Sequence, residues 1–218
     1  MSQSLWNDVD TYFERSLIGE DVGLDAAREA SLAAGLPDIA VAPNQGKLLH
    51  ILARSVNARR ILEVGTLGGY RTIWMARALP ADGELVSLEY NPRHAEVARE
   101  NIARAALSSK VSVIVGSAID ALPTLKGPFD LSFIDADKRS NPDYFRWALK
   151  LSRKGSLIVV DNVVRGGRIL NAATDDPDVQ GIRRFFEIIA AEPRVVSTAI
   201  QTVGSKGHDG LAIALVTS

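Results

Sequence analysis

Between Arg60 and Asp161 the chain alternates two kinds of pattern. Short apolar, β-branched runs occupy Arg60 to Gly65, Glu84 to Tyr90, Val111 to Gly116, Asp130 to Asp135 and Ser156 to Asp161. Several are near-continuously apolar, as parallel strands covered on both faces should be. The stretches between them carry apolar residues at helical spacing. Asn91-Pro92 places a cap and a first-turn proline ahead of Ala95, Ala98, Ile102 and Ala105, which share one helix face. Asn141-Pro142 does the same ahead of Phe145, Ala148 and Leu149. Strand–helix alternation through five units predicts a doubly wound α/β sheet.

The rhythm changes towards the end. A helix near Val179 to Ala191 precedes two strand-like runs, Arg194 to Ile200 and Leu211 to Val216. The loop between them holds Gly204, Gly207, His208, Asp209 and Gly210, so a closing hairpin with an antiparallel strand is expected. These runs bring the expected strands to seven, mostly parallel. Residues 1–40 carry helical stretches and no strand, which reads as a helical appendage on a core domain of residues 41–218. No internal repeat or long linker divides the chain.

Composition narrows the chemistry. The 218 residues carry 25 basic and 26 acidic side chains, a net charge of −1, so nothing in the balance calls for nucleic acid or an anionic membrane. The absence of cysteine excludes disulfides, thiolate metal sites and a cysteine nucleophile. Three histidines without an HExxH-type pairing make a histidine-rich zinc site a poor reading. The start has neither the basic nor the apolar segment of a signal peptide. No run approaches the ~18 apolar residues of a membrane span, and a soluble cytoplasmic protein is the expectation.

The first strand runs into Glu63-Val64-Gly65-Thr66-Leu67-Gly68-Gly69-Tyr70. A glycine-rich turn here lets a ligand approach the backbone at the carboxyl end of the sheet. Leu67 breaks the G-x-G-x-x-G spacing, and with it the case for a dinucleotide pyrophosphate. Glu89 ends the second strand, where a carboxylate can accept both ribose hydroxyls of an adenosine. The plainer alternative is that the glycines only pack helix on sheet and that Glu89 is a solvated strand end. A nucleoside cofactor without pyrophosphate, held by E-x-G-x-x-x-G, suggests S-adenosylmethionine.

From about Val41 onward the chain resembles the cation-dependent O-methyltransferases of the catechol and caffeoyl-CoA group. Separate motifs carry the likeness in order: Ala42-Pro43-Asn44-Gln45-Gly46, Glu63-Val64-Gly65-Thr66, Gly69-Tyr70, Gly116-Ser117-Ala118, Asp135-Ala136-Asp137-Lys138 and Asp161-Asn162. The resemblance implies a Rossmann-like methyltransferase sheet. It implies cofactor contacts at Val41 (through its backbone), Glu63, Gly65 and Thr66, with Glu89 on the ribose, Ser117 and Ala118 beside the adenine and Asp135 near the methionine portion. Arg71 departs from the pattern, because the family usually has Ser or Thr after Gly-Tyr. In the family that hydroxyl often reaches the cofactor carboxylate; an arginine either pairs with the carboxylate instead or points away, and Arg71 is left out of the expected site.

Asp135 and Asp161 end consecutive strand-like runs, so neighbouring parallel strands would bring both carboxylates to one sheet edge, with Asn162 alongside. Two carboxylates and an amide oxygen make a hard oxygen site, suited to Mg²⁺ first and to Mn²⁺ or Ca²⁺ as alternatives. The resemblance assigns the same three residues as metal ligands; isolated strand-end aspartates are otherwise ordinary loop or cap residues. Lys138 would accept the hydroxyl proton, as the equivalent lysine does in the family, and Asp135 shares the catalytic step. Asp137 is second to these, either supporting them or facing solvent.

The activity implied is metal-dependent methylation of a vicinal dihydroxy aromatic small molecule. The helical N-terminus and the loop from Val163 to Asp178 should wall the acceptor pocket, where Arg165 and Arg168 either favour an acidic acceptor or are solvated loop charges. Trp6, Tyr12 and Phe13 form an apolar set that either packs on a second subunit, since relatives are commonly dimers, or is the buried face of a helix. Competing readings are a nucleotide-dependent oxidoreductase, a non-catalytic cofactor-binding module and a methyltransferase of a hydroxylated RNA base. The missing dehydrogenase fingerprint, the intact acidic and lysine set, and the near-neutral charge speak against them in turn.

Overall fold

The computed structural model describes residues 2–218. Seven strands form one sheet: β1 (Arg60–Val64), β2 (Glu84–Glu89), β3 (Val111–Val115), β4 (Phe129–Ile134), β5 (Ser152–Asp161), β6 (Val195–Gly204) and β7 (Gly207–Val216). Their spatial order is β3-β2-β1-β4-β5-β7-β6. The first five pair in parallel, and β7 runs antiparallel to both β5 and β6. The doubly wound, mostly parallel sheet with one reversed strand is the architecture that the pattern predicted. Its order reverses between β1 and β4, the place where open α/β sheets form a ligand crevice at their carboxyl ends.

Eight helices surround it: α1 (Gln3–Phe13), α2 (Val22–Ala33), α3 (Pro43–Ser55), α4 (Tyr70–Ala76), α5 (Pro92–Arg104), α6 (Ala118–Ala121), α7 (Asn141–Lys150) and α8 (Pro177–Ala191). Successive side chains on a strand point to opposite faces, so each central strand feeds two cores. Ile61 packs in the cluster with α2 to α5, while Leu62 and Val64 pack in the cluster with α7 and α8. Leu24 and Ala27 of α2 are buried in the first of these. Asn91 caps α5, accepting the Arg93 amide at 2.9 Å.

Three local expectations need correction. Ser140, not Asn141, stands at the N-cap of α7, because a short 3₁₀ turn over Lys138–Ser140 leads straight into the helix. Ser152, not Ser156, begins β5, which passes through Gly155 at φ +90°. The glycine-containing segment expected as a loop near the C-terminus is strand. β6 and β7 pair all the way to Gly204↔Gly207, leaving Ser205 and Lys206 as a tight turn. Backbone pairing there needs no apolar alternation, and Gly210 permits an approach to the Ile200 carbonyl that a Cβ would block. Among the described residues, no helix is long and apolar enough to cross a membrane.

Candidate active site

The carboxyl ends of the parallel strands open on a cavity of about 970 Å³. Val41, Gly65, Thr66, Glu89, Ser117, Ala118, Asp135, Lys138, Asp161 and Asn162 all line it. Of the residues expected to bind cofactor or metal or to act in catalysis, only Glu63 is absent from the lining; it lies fully buried on β1. Strand topology explains the convergence. The ends of β1, β2, β3, β4 and β5 deliver Gly65, Glu89, Ser117, Asp135 and Asp161 side by side, although they span about half the chain.

The glycine turn after β1 does two jobs. Gly65 has φ +92°, and a Cβ there would run into the Asp135 main-chain carbonyl, so β1 and β4 meet through bare backbone. Gly69, in the left-handed region at φ +80°, is the N-cap of α4 and abuts Ala98 of α5. Gly69 therefore packs α4 on α5, while the Gly65 end of the turn lines the cavity. Glu89 is not a solvated strand end. It is buried, and its carboxylate accepts the Thr66 and Leu67 amides at 2.9 and 2.8 Å and the Asn91 amide at 2.9 Å.

Below the turn is an ionic network that sequence patterns did not expose. Glu63 accepts from Thr72 Oγ1 at 2.6 Å, Ser87 Oγ at 2.5 Å and Arg71 Nε at 3.0 Å. Complete burial pushes the Glu63 carboxyl up despite these donors. Arg71 donates onward to the Gly65 carbonyl at 2.6 Å and to Asp135 Oδ2 at 2.5 Å. Lys138 Nζ holds the other Asp135 oxygen, Oδ1, at 2.6 Å. Burial alone would raise the Asp135 carboxyl, but the adjoining Lys138 and Arg71 charges outweigh it and hold it at about 2.

Asp161 sits differently. Its oxygens accept from Gln45 Nε2 at 2.5 Å and from the Asn162 amide at 2.7 Å, and no cationic side chain is ion-paired with it among the described residues. Burial and then the Asp135 charge push its carboxyl up to about 7. A buried carboxylate facing a second one is the setting in which a bound cation is stabilising. Among the described residues no three His, Cys, Asp or Glu side chains cluster to hold a metal; Asp135, Asp161 and Asn162 share the cavity wall and offer two carboxylates and an amide as oxygen donors. That set fits a hard cation that keeps open positions for other oxygen ligands. Gln45 was visible in the Ala42–Gly46 motif, but its reach to Asp161 depends on α3 lying across the sheet edge. Asp137 is exposed and accepts Ser140 Oγ and Tyr144 Oη, each at 2.5 Å.

The loop after Asn162 divides by function. Arg165 and Asp178 line the cavity, whereas Arg168 is a surface residue paired with Asp176 at 2.9 Å. At the N-terminal side, Asp38 to Val41 form part of the rim. Tyr12 and Phe13 are exposed, 67% and 43% respectively, so α1 does not bury them.

Comparison with known proteins gives concordant results. The profile of a family described as O-methyltransferase matches residues 14–215. A catechol O-methyltransferase of Mycobacterium tuberculosis is 55% identical over 210 residues, covering 96% of this chain and 95% of its own. The crystal structure of an O-methyltransferase from Bacillus cereus in complex with SAH superposes with a TM-score of 0.98 at 51% identity, covering 99% of this chain and all of the other. An O-methyltransferase of tomaymycin synthesis from Streptomyces achromogenes, in complex with SAM, gives 0.97 at 52% identity with both chains fully covered.

Proposed function

The chain belongs to the O-methyltransferase family and is an S-adenosylmethionine-dependent O-methyltransferase; on that basis we propose that it methylates one hydroxyl of a catechol-type small molecule with the help of a divalent cation. The observation that carries the finer reading is the buried Asp161 carboxylate, without an ion-pair partner among the described residues, beside Asp135 on the cavity wall. The names of relatives such as the mycobacterial catechol O-methyltransferase support the acceptor class.

In this reading Gly65, Thr66, Glu89, Ser117, Ala118 and the Val41 backbone hold the cofactor, with Glu63 buttressing the turn from below. Asp135, Asp161 and Asn162 are the cation ligands, for Mg²⁺ or a similar hard ion. Such an ion, when bound, lowers the pKa of a phenol hydroxyl and fixes its direction. Lys138, held beside Asp135, is the group that takes the hydroxyl proton. The phenol oxygen then forms a bond to the methyl carbon as the carbon–sulfur bond breaks, its electron pair passing to sulfur to leave S-adenosylhomocysteine. Since the sulfonium carries a good leaving group, the neutral thioether, the protein's main contributions are alignment and exclusion of water.

We assign this chemistry to residues 41–218, with residues 1–40 as an N-terminal appendage whose described part carries helices α1 and α2 and whose end, Asp38 to Ala40, lines the cavity. A homodimer completes the proposal. The edge strand β6 exposes Val196, Ile200 and Val203 next to α1, which is tied to the hairpin by Gln3 and Asp10. Incubating the protein with S-adenosylmethionine and catechol tests the activity, with Mg²⁺ or with EDTA and with products read by mass spectrometry. Mono-methyl ether formed only with metal supports the reading; equal product in EDTA overturns its cation step.

A further inference from the structure

Arg165 differs from Arg71, Lys138 and Lys206 at the cavity in how little of its hydrogen-bonding capacity is used. It differs from Arg139, an exposed side chain that reaches Asp137 at 3.4 Å, in being partly buried. Arg71 has all three guanidinium nitrogens bonded, to Glu63, Asp135 and the Gly65 carbonyl. Lys138 is bonded to Asp135 at 2.6 Å, and Lys206 pairs with Asp38 at 3.2 Å. Among the described residues Arg165 has only a loose ion-pair partner, Asp178 at 3.8 Å, and its Nε is buried with no hydrogen-bond partner. A guanidinium offers five N–H donors in a planar fork, so most of this one is unspent.

Its placement is fixed by the backbone. Arg165 is a non-glycine residue in the left-handed region, φ +56°. That conformation costs energy and persists only where surroundings enforce it. The enforcement comes from Asp209 at the start of β7, whose Oδ1 accepts the Val164 and Arg165 amides at 3.0 Å each. The turn lies immediately after Asn162, so the side chain enters the cavity on the Asp161–Asn162 side.

We propose that Arg165 is a specificity-determining residue that binds a carboxylate on the acceptor, making dihydroxy-aromatic acids the substrate class. The inference rests on the catechol reading above. The fork matches a carboxylate in a way that a neutral ring substituent cannot, and the buried, unpartnered Nε gains a bond when such a group arrives. Arg168, solvated and already paired with Asp176, has no share in this.

The test compares 3,4-dihydroxybenzoate with its methyl ester in wild type, Arg165→Gln and Arg165→Lys. Binding of S-adenosylhomocysteine is measured for each variant to show that the fold is intact. Wild type is expected to favour the acid in kcat/KM, and Arg165→Gln to cut the acid-to-ester ratio by about 10- to 100-fold, mainly through KM. Arg165→Lys should recover part of the ratio, having the charge without the fork. A ratio near one in wild type, or one unchanged by Arg165→Gln, overturns the assignment while leaving catechol methylation standing. If neither compound nor catechol itself is methylated by wild type, the catechol reading falls, and this assignment with it.

Discussion

Arg71 Nη1 donates to Asp135 Oδ2 at 2.5 Å, tying the first turn of α4 to the end of β4 across 64 residues of sequence. The same guanidinium holds Glu63 on β1, so one buried cation pairs with two carboxylates on adjacent strands, sharing Asp135 with Lys138. Removing a single member of such a network strands buried charge. Arg71→Ser is expected to cost about 3–5 kcal/mol of stability, read as a shift of the urea midpoint at unchanged slope. A loss below about 1 kcal/mol would mean that water enters and solvates the carboxylates instead.

Asp161→Ala removes a proposed cation ligand and leaves Gln45 without its acceptor. Turnover on catechol should fall by at least about 100-fold, and added Mg²⁺ should not restore it. EDTA should impose a comparable loss on wild type. Calorimetric binding of Mn²⁺ provides a readout independent of turnover, and retention of wild-type Mn²⁺ affinity by Asp161→Ala would remove Asp161 from the ligand set.

Lys138→Gln separates proton transfer from binding. As the proton acceptor its loss should lower kcat by about 10²–10⁴-fold with a much smaller change in KM. The rate of a more acidic nitrocatechol should suffer less, because its hydroxyl needs less help to ionise. A uniform loss across acceptors of different acidity would instead make Lys138 a structural partner of Asp135.

Asp130 gives a pH prediction away from the cavity. Although burial opposes its charge, the Arg59 and Arg60 amides at 2.8 and 2.9 Å and the Arg153 side chain hold its carboxyl below 3.8. A depressed folded-state value stabilises the protein above the unfolded-state value and loses that contribution as pH falls through the folded one. Asp130→Asn should therefore cost about 1–3 kcal/mol at pH 5 to 7, with the gap to wild type closing below about pH 4. A gap constant from pH 7 to pH 3 would show that the carboxylate charge is irrelevant there.

How far the sequence reveals this molecule depends on the range of the interaction concerned. Parallel strands betray themselves as apolar runs, and Glu89, Asp135 and Asp161 stand at their ends, so both the sheet and the ring of cavity residues were readable. The Arg71 network was not. Its direction is set by where Gly69 starts α4 and by Glu63 facing that helix, and neither follows from spacing alone. The extended C-terminal hairpin was hidden for a related reason. From Gln201 to Gly210 its stability comes from backbone pairing across a tight turn, which glycine and polar residues satisfy without an apolar alternation. Asn141 resembled a cap because local grammar cannot see the 3₁₀ turn that precedes it.

The Asp209 anchor has a consequence for how this scaffold can diversify. The turn bearing Arg165 is fastened to the C-terminal hairpin, whereas the Gly65 turn is fastened to β4 and α4. The two ends of the cavity thus have separate moorings. Exchange of the hairpin start and the Val164–Gly167 turn between homologues would transplant acceptor preference as a unit, leaving the other mooring untouched. Lineages sharing one methyl donor can then drift apart in what they modify.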